Sequence, residues 1–228
     1  MSAVAVVTGA AAGLGRAVVQ ELLAHGYRVA GFDIREGDPA EGLLQLTVDV
    51  TDEAAVEAAF DRVVQDLGRP TLAVNAAGIY PRTMLSDFSV DRYRRIFDIN
   101  VLGTWLVTRG FYRTHEEGTP GTVLNIASVD GMTPHPKSLL YSASKAAVIN
   151  LTAGTAGELA AKGIRTVAVA PAYIATEQIK AQVGTLPPEA MSPQELAASI
   201  VRLADPALLT HLTGQTVVAQ GREEFPSA

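Results

Sequence analysis

Short, unbroken apolar runs alternate along this chain with longer stretches in which apolar residues recur every three or four positions. The runs Ala3–Thr8, Arg28–Asp33, Leu44–Val48, Leu72–Asn75, Thr122–Ala127, Arg165–Ala170 and Gln215–Ala219 predict seven strands. Several are rich in Val, Ile or Leu and do not alternate with polar residues, the pattern of strands covered on both faces. The intervening stretches predict helices. One spans Leu14–Ala24 and stops near Gly26. The next is capped by Thr51 or Asp52, carries Val56, Ala59, Phe60, Val63, Val64 and Leu67 on one face, and ends at Gly68 and Pro70. A long helix from Asp91 to His115 turns Ile96, Phe97, Val101 and Trp105 inward. Two more cover Leu139–Ala161 and, behind a Ser192 cap, Pro193–Ala204. Strand and helix in alternation imply an α/β fold with a parallel sheet between two helical layers. No repeat and no Pro/Ser-rich linker divides residues 1–228, which predicts a single domain. Weakly structured stretches are expected at Gly37–Gly42, Ala175–Met191 and Gly221–Ala228.

Composition narrows the chemistry. With 228 residues, 48% of them hydrophobic, the chain can bury one large core. The net charge is −6 with both signs interspersed, which argues against nucleic acid as a partner. The absence of cysteine excludes disulfides, thiolate ligands and a cysteine nucleophile, and the four histidines show no metal-binding spacing, so no metal is expected. The start, M-S-A-V-A-V-V-T-G, has no basic leader and only a short apolar run, so it reads as a strand rather than a signal peptide. No run is long enough to span a membrane. A soluble, cytoplasmic protein is the expectation.

The most telling polar residues are Tyr141 and Lys145 in Y-S-A-S-K, with Ser128 thirteen positions before the tyrosine. Four residues make about one helical turn, so the phenol and the ammonium share a face. A nearby positive charge favours the phenolate, and a tyrosine tuned in this way can exchange a proton with an alcohol or a ketone. Alone, such a pair is common on ordinary helices. A second signal accompanies it. T-G-A-A-A-G-L-G, Thr8–Gly15, joins the first strand to the first helix; its glycines permit a tight turn and a close approach to a pyrophosphate at the helix N-terminus. Asp33 ends the second strand, where a carboxylate can accept hydrogen bonds from adenosine ribose hydroxyls and repel a 2′-phosphate. That favours NAD over NADP, although Arg35 nearby could hold a 2′-phosphate.

Together these motifs resemble the short-chain dehydrogenase/reductase family over essentially the whole chain. The resemblance implies a Rossmann-type doubly wound sheet of about seven strands in the order 3-2-1-4-5-6-7. It also implies cofactor contacts from Gly9, Ala12, Gly13, Leu14 and Gly15 in the turn, and from Asp33 and Ile34 after the second strand. Asp49 and Val50 match the adenine pair, and Asn75, Ala76 and Gly78 of N-A-A-G match the segment that supports the sheet and lines the cleft. Pro171, Ile174 and Thr176 match the segment in which the threonine contacts the nicotinamide amide. Asn100, Ser128, Tyr141 and Lys145 match the catalytic tetrad, with Tyr141 and Lys145 also touching the cofactor. In the family's scheme Tyr141 is the general acid/base, Lys145 lowers its pKa and grips the nicotinamide ribose, Ser128 bonds the reacting oxygen, and Asn100 holds a water that links Lys145 to solvent. A homotetramer or homodimer built on the two longest helices is also implied. Three departures stand out. Ala172 takes the place of the usual glycine after Pro171. The substrate lid, Ala175–Met191, is short. The usual second glycine after Gly221 is missing.

The expected activity is an NAD-dependent interconversion of a secondary alcohol and a ketone. A 3-oxoacyl thioester reductase acting on an acyl carrier or CoA is the alternative among enzymes, and a cofactor-binding sensor without catalysis is the alternative outside them. Tyr80, Met132 and Tyr173 are read as pocket walls or simple packing, and His135 as a loop residue near the cleft. Trp105 is read as helix packing or a subunit contact, and His25, His115 and His211 as surface residues.

Overall fold

All seven apolar runs fold as strands, and all pair in parallel. In the computed structural model, which describes residues 2–205 and 212–221, these are β1 (Val4–Thr8), β2 (Arg28–Asp33), β3 (Leu43–Thr47), β4 (Leu72–Asn75), β5 (Gly121–Ile126), β6 (Ile164–Pro171) and β7 (Gln215–Ala219). Their order across the sheet is β3-β2-β1-β4-β5-β6-β7. β1 pairs with β2 on one side (Val4 beside Arg28, Thr8 beside Phe32) and with β4 on the other (Ala5 beside Leu72). The order therefore reverses at the β1/β4 boundary.

The helices are α1 (Gly13–Ala24), α2 (Glu53–Asp66), α3 (Val90–Phe97), α4 (Gly103–Thr114), α5 (Leu139–Ala160), α6 (Glu177–Val183) and α7 (Pro193–Ala204). Successive strand residues point to opposite faces, and the core divides accordingly. Ala5 and Val7 of β1 pack with Val18 and Leu22 of α1 and Leu196 and Ile200 of α7. Val4 and Val6 face Phe60 and Val63 of α2 and Val107 and Phe111 of α4. Asp52 caps α2 by accepting the Ala55 N–H at 3.0 Å. Ser192 and Glu195 form a reciprocal capping box on α7 with Pro193 at its first position, and such caps satisfy otherwise orphaned helix donors.

Four expectations change. The long helix is one rod in three parts: α3 and α4 are joined by a π-helical turn, Asp98–Leu102, with Asn100 at its centre. Trp105 faces out, 44% exposed, while Leu106, Val107 and Phe111 face in. The reason is rotational: a stripe drawn in steps of four drifts about 40° per step off one face of an α-helix, and the π-helical turn between Ile96 and Trp105 changes the phase further. His115 is buried rather than on the surface. It stacks on Phe111 with ring centroids 5.2 Å apart, and its ring nitrogens lie 3.1 and 3.0 Å from the carbonyls of Pro70 and Thr119. The stretch 175–191 contains α6, capped by Thr176, whose Oγ1 accepts the Ile179 N–H at 3.2 Å. His25 lies at the surface; His211 and the end of the tail lie outside the described residues.

Candidate active site

The chain leaves the C-terminal ends of β1 and β4 toward opposite faces of the sheet, and a crevice opens between them, as expected where strand order reverses. The cleft measures about 1040 Å³, and the segments that follow β1, β2, β3, β4, β5 and β6 line it.

The glycine turn forms its floor. Gly9 has φ +67°, a conformation other residues rarely adopt. A side chain on Gly15 would drive into the Gly9 carbonyl oxygen. Ala12 occupies the N-cap of α1 and has no side-chain acceptor, so no side chain at that position caps the first-turn N–H groups. An uncapped helix start reached through a glycine turn fits a pyrophosphate. Asp33 stands beside it. Its Oδ2 accepts the Ala11 N–H at 3.1 Å and its Oδ1 accepts the Arg35 N–H at 3.0 Å, which ties the carboxylate to the turn. The Arg35 side chain is 67% exposed, with Nε 3.7 Å from Asp33 Oδ1, too long for a hydrogen bond.

Gly9, Ala12, Gly13, Leu14, Gly15, Asp33, Ile34, Asp49, Val50, Ala76, Gly78, Ser128, Tyr141, Lys145, Pro171, Ile174 and Thr176 all line this one cleft, and Ala172 joins them. Asn75 and Asn100 do not. The Asn75 amide is directed into the sheet, donating to Asn125 Oδ1 at 2.8 Å and to Thr108 Oγ1 at 3.2 Å. Asn100 is fully buried behind the wall. Its Oδ1 accepts the Ile79 N–H at 2.9 Å, and its Nδ2 donates to the Ile79 carbonyl at 3.1 Å and to Ser144 Oγ at 3.0 Å. Its backbone carbonyl accepts from Thr104 Oγ1 at 2.9 Å.

Ser128 caps the short 3₁₀ turn Val129–Gly131 after β5. Tyr141 and Lys145 sit one turn apart on α5. Lys145 Nζ donates to the Ile126 carbonyl at 2.6 Å and lies 5.8 Å from the centroid of the Tyr141 ring, within cation–π range. Burial pushes the Lys145 ammonium down to about 8. It pushes the Tyr141 phenol well up. The Ser128 hydroxyl, as a hydrogen-bond partner, draws the phenol down, and Asp130 and Tyr80 raise it further. The lowered tyrosine pKa expected from Lys145 is thus not found in this geometry, where loss of water around the phenol is the largest influence and raises it. Asp130, two residues after Ser128, belongs to none of the sequence motifs. Its own pKa is raised by partial burial and held back by His135.

A family model described as short chain dehydrogenase matches residues 3–185. The chain belongs to the short-chain dehydrogenase family. A cis-4-hydroxycyclohexanecarboxylate dehydrogenase of Sinomonas cyclohexanicum is 36% identical over 89% of this chain and 84% of its own length. A 3-oxoacyl-[acyl-carrier-protein] reductase of Vibrio harveyi is 30% identical over 96% of both chains. Among solved structures, ElxO with NADP bound superposes with a TM-score of 0.86 at 28% identity, covering 96% of this chain and 97% of that one. As a short-chain dehydrogenase the protein is an oxidoreductase of alcohol and keto groups with a nicotinamide cofactor. Among the described residues, no helix is long and apolar enough to cross a membrane, and no acidic, histidine or cysteine cluster could hold a metal ion.

Proposed function

We propose that this short-chain dehydrogenase interconverts a secondary alcohol and a ketone with NAD, using Tyr141 as its general acid/base. The observation that carries the proposal is the convergence of Ser128, Tyr141 and Lys145 on the same cleft as the glycine turn and Asp33. The turn, Asp33, Ile34, Asp49, Val50, Ala76 and Gly78 would hold the adenosine and pyrophosphate part of the cofactor, with Pro171, Ile174 and Thr176 beside the nicotinamide. When bound, that cofactor supplies the hydride acceptor or donor. The remaining chemistry belongs to the chain. Tyr141, with its raised pKa, keeps its proton near neutrality and can pass it to a ketone oxygen. Ser128 donates to the same oxygen as negative charge develops there. In the oxidative direction Lys145, one turn away, favours the phenolate that accepts the proton. Asn100 fixes the Ile79 backbone, and through it one wall of the cleft, rather than touching the reacting atoms. The segment 175–191, with α6 at its start, would serve as a short lid, and the protein would assemble as a homotetramer or homodimer in the cytoplasm.

NAD is preferred because the Asp33 carboxylate is fixed by two backbone donors and opposes a 2′-phosphate. Arg35 is the counterweight, and ElxO shows NADP on a closely similar fold. A 3-oxoacyl thioester reductase is the second reading; the Vibrio harveyi relative supports it by matching nearly end to end. One experiment tests both. Cyclic and acyclic alcohols and ketones, and acetoacetyl-CoA, are assayed with NAD(H) and NADP(H) in parallel, with Tyr141→Phe as control. Turnover is expected with NAD(H), and Tyr141→Phe should lose about 10²–10⁴-fold of it while still binding NADH. Full activity in that variant would remove the assignment.

A further inference from the structure

We infer that Tyr80 is a positioning residue that sets the orientation of the Tyr141 ring, an inference that rests on the proton-transfer role proposed above. The two rings meet edge to face, with centroids 4.5 Å apart and planes at 85°. Such a contact restricts the Tyr141 ring on the side from which Tyr80 approaches. Tyr80 is itself anchored. Its hydroxyl accepts from Ser138 Oγ at 3.1 Å, and Ser138, fully buried, is the N-cap of the helix that carries Tyr141.

The backbone on both sides of Tyr80 is tied down as well. On one side, both polar groups of Ile79 bond the Asn100 amide. On the other, the Thr83 N–H donates to the Lys137 carbonyl at 2.9 Å. The Leu139 N–H donates to the Thr83 carbonyl at 3.1 Å, and the Leu140 N–H to Thr83 Oγ1 at 3.1 Å. Residues 79–83 therefore form a brace from the π-helical turn to the first turn of α5, and Tyr80 is the part of it that touches the phenol. Tyr80 also lines the cleft. A ring that only filled space would need neither the Ser138 bond nor a fastened backbone on both sides. The proximity is also felt electrostatically, since Tyr80 contributes to the upward shift at Tyr141.

The test compares Tyr80→Phe and Tyr80→Leu in the full chain, with whichever substrate the panel turns over. Tyr80→Phe keeps the ring contact and loses only the Ser138 hydrogen bond, so its kcat should fall less than that of Tyr80→Leu. Tyr80→Leu removes it, and kcat should fall about 10- to 100-fold, as small misplacements of a catalytic group do. The KM for NADH should be unchanged and the pH–rate midpoint should move. A purely structural role would lower thermal stability and cofactor affinity together and leave the pH midpoint in place. A readout that needs no turnover comes from ¹³Cζ-tyrosine labelling, with the Tyr141 resonance assigned through Tyr141→Phe. That resonance should move further in Tyr80→Leu than in Tyr80→Phe. Tyr80→Met offers the same comparison should the Leu variant fail to fold. Wild-type kcat, pH profile and Tyr141 resonance in Tyr80→Leu would overturn the inference. Full turnover in Tyr141→Phe would overturn the proton-transfer reading instead, and the NMR comparison would still report on the ring contact.

Discussion

Lys145 and Tyr141 are both shifted toward their neutral forms by burial, and this has consequences that can be measured. Lys145 falls from 10.5 to about 8 in the folded protein. Between those values the unfolded chain binds more protons than the folded one, so stability rises with pH, by up to about 1.4 kcal/mol per pH unit. Above pH 10 the raised Tyr141 works the other way: the unfolded chain ionises first, and stability falls. Denaturant melts of the cofactor-free protein should therefore show a rise from about pH 8 to 10 that disappears in Lys145→Met; an unchanged pH slope in that variant would contradict the buried ammonium. Asp130 also bears on the same phenol. Its negative charge raises the Tyr141 pKa, so Asp130→Asn should move the pH–rate midpoint toward acid. A midpoint shifted toward alkali, or unmoved, would show that the carboxylate does not act on Tyr141. The motif Y-S-A-S-K revealed the pair but not this balance, because neighbours distant in sequence, Tyr80 among them, set it.

The elements were readable from the chain to an uneven degree. Strand limits fall within a residue or so of the apolar runs, because strands covered on both faces are written as continuous Val, Ile and Leu. Asp52 and Ser192 announced their helices as caps. Helix α6 was missed although T-E-Q-I-K-A-Q-V carries a capping threonine, since its seven residues are too short to show a period. The π-helical turn leaves no periodic trace either: it inserts itself inside an otherwise regular amphipathic pattern. The glycine turn was legible because its purpose is steric. That purpose makes Gly15→Ala informative. A single methyl group would collide with the Gly9 carbonyl, so the turn must open and α1 must shift from the cleft floor. NADH fluorescence titration should show severe loss of binding in that variant. Retained affinity would mean that the turn is looser than its packing indicates.

At the scale of the molecule, one cleft gathers residues from position 9 to position 179, and the sequence order of the motifs told which strand each follows. What the sequence could not tell is which side of each helix remains uncovered. Val90, Tyr93, Leu102 and Trp105 stay about half exposed along the α3–α4 rod, while Tyr93 stacks on Phe97 at 4.5 Å. If the rod meets a second copy, as the proposed assembly requires, Trp105→Glu should convert a multiple of the chain mass in sedimentation equilibrium to the single-chain mass. An identical mass for wild type and variant would place the contact elsewhere or exclude it.

The Asn75 amide bonds Asn125 on the neighbouring strand, and Asn125 Nδ2 in turn bonds Thr152 of α5 at 2.9 Å. A parallel pair of short, uniformly apolar strands has little to distinguish one alignment from the next, since Val, Leu and Ala interchange at modest cost. Here β4 and β5 align Asn75 directly beside Asn125. Sliding either strand by two residues would break the Asn75–Asn125 bond and carry the asparagine of the moved strand away from its helix partner as well, Thr108 or Thr152, at about 1–3 kcal/mol for a buried amide left unpaired. The polar pair thus acts as an index mark. It selects a single alignment between two halves of the chain that meet across some fifty intervening residues, and so sets how far the Ser128 turn stands beyond the end of β4.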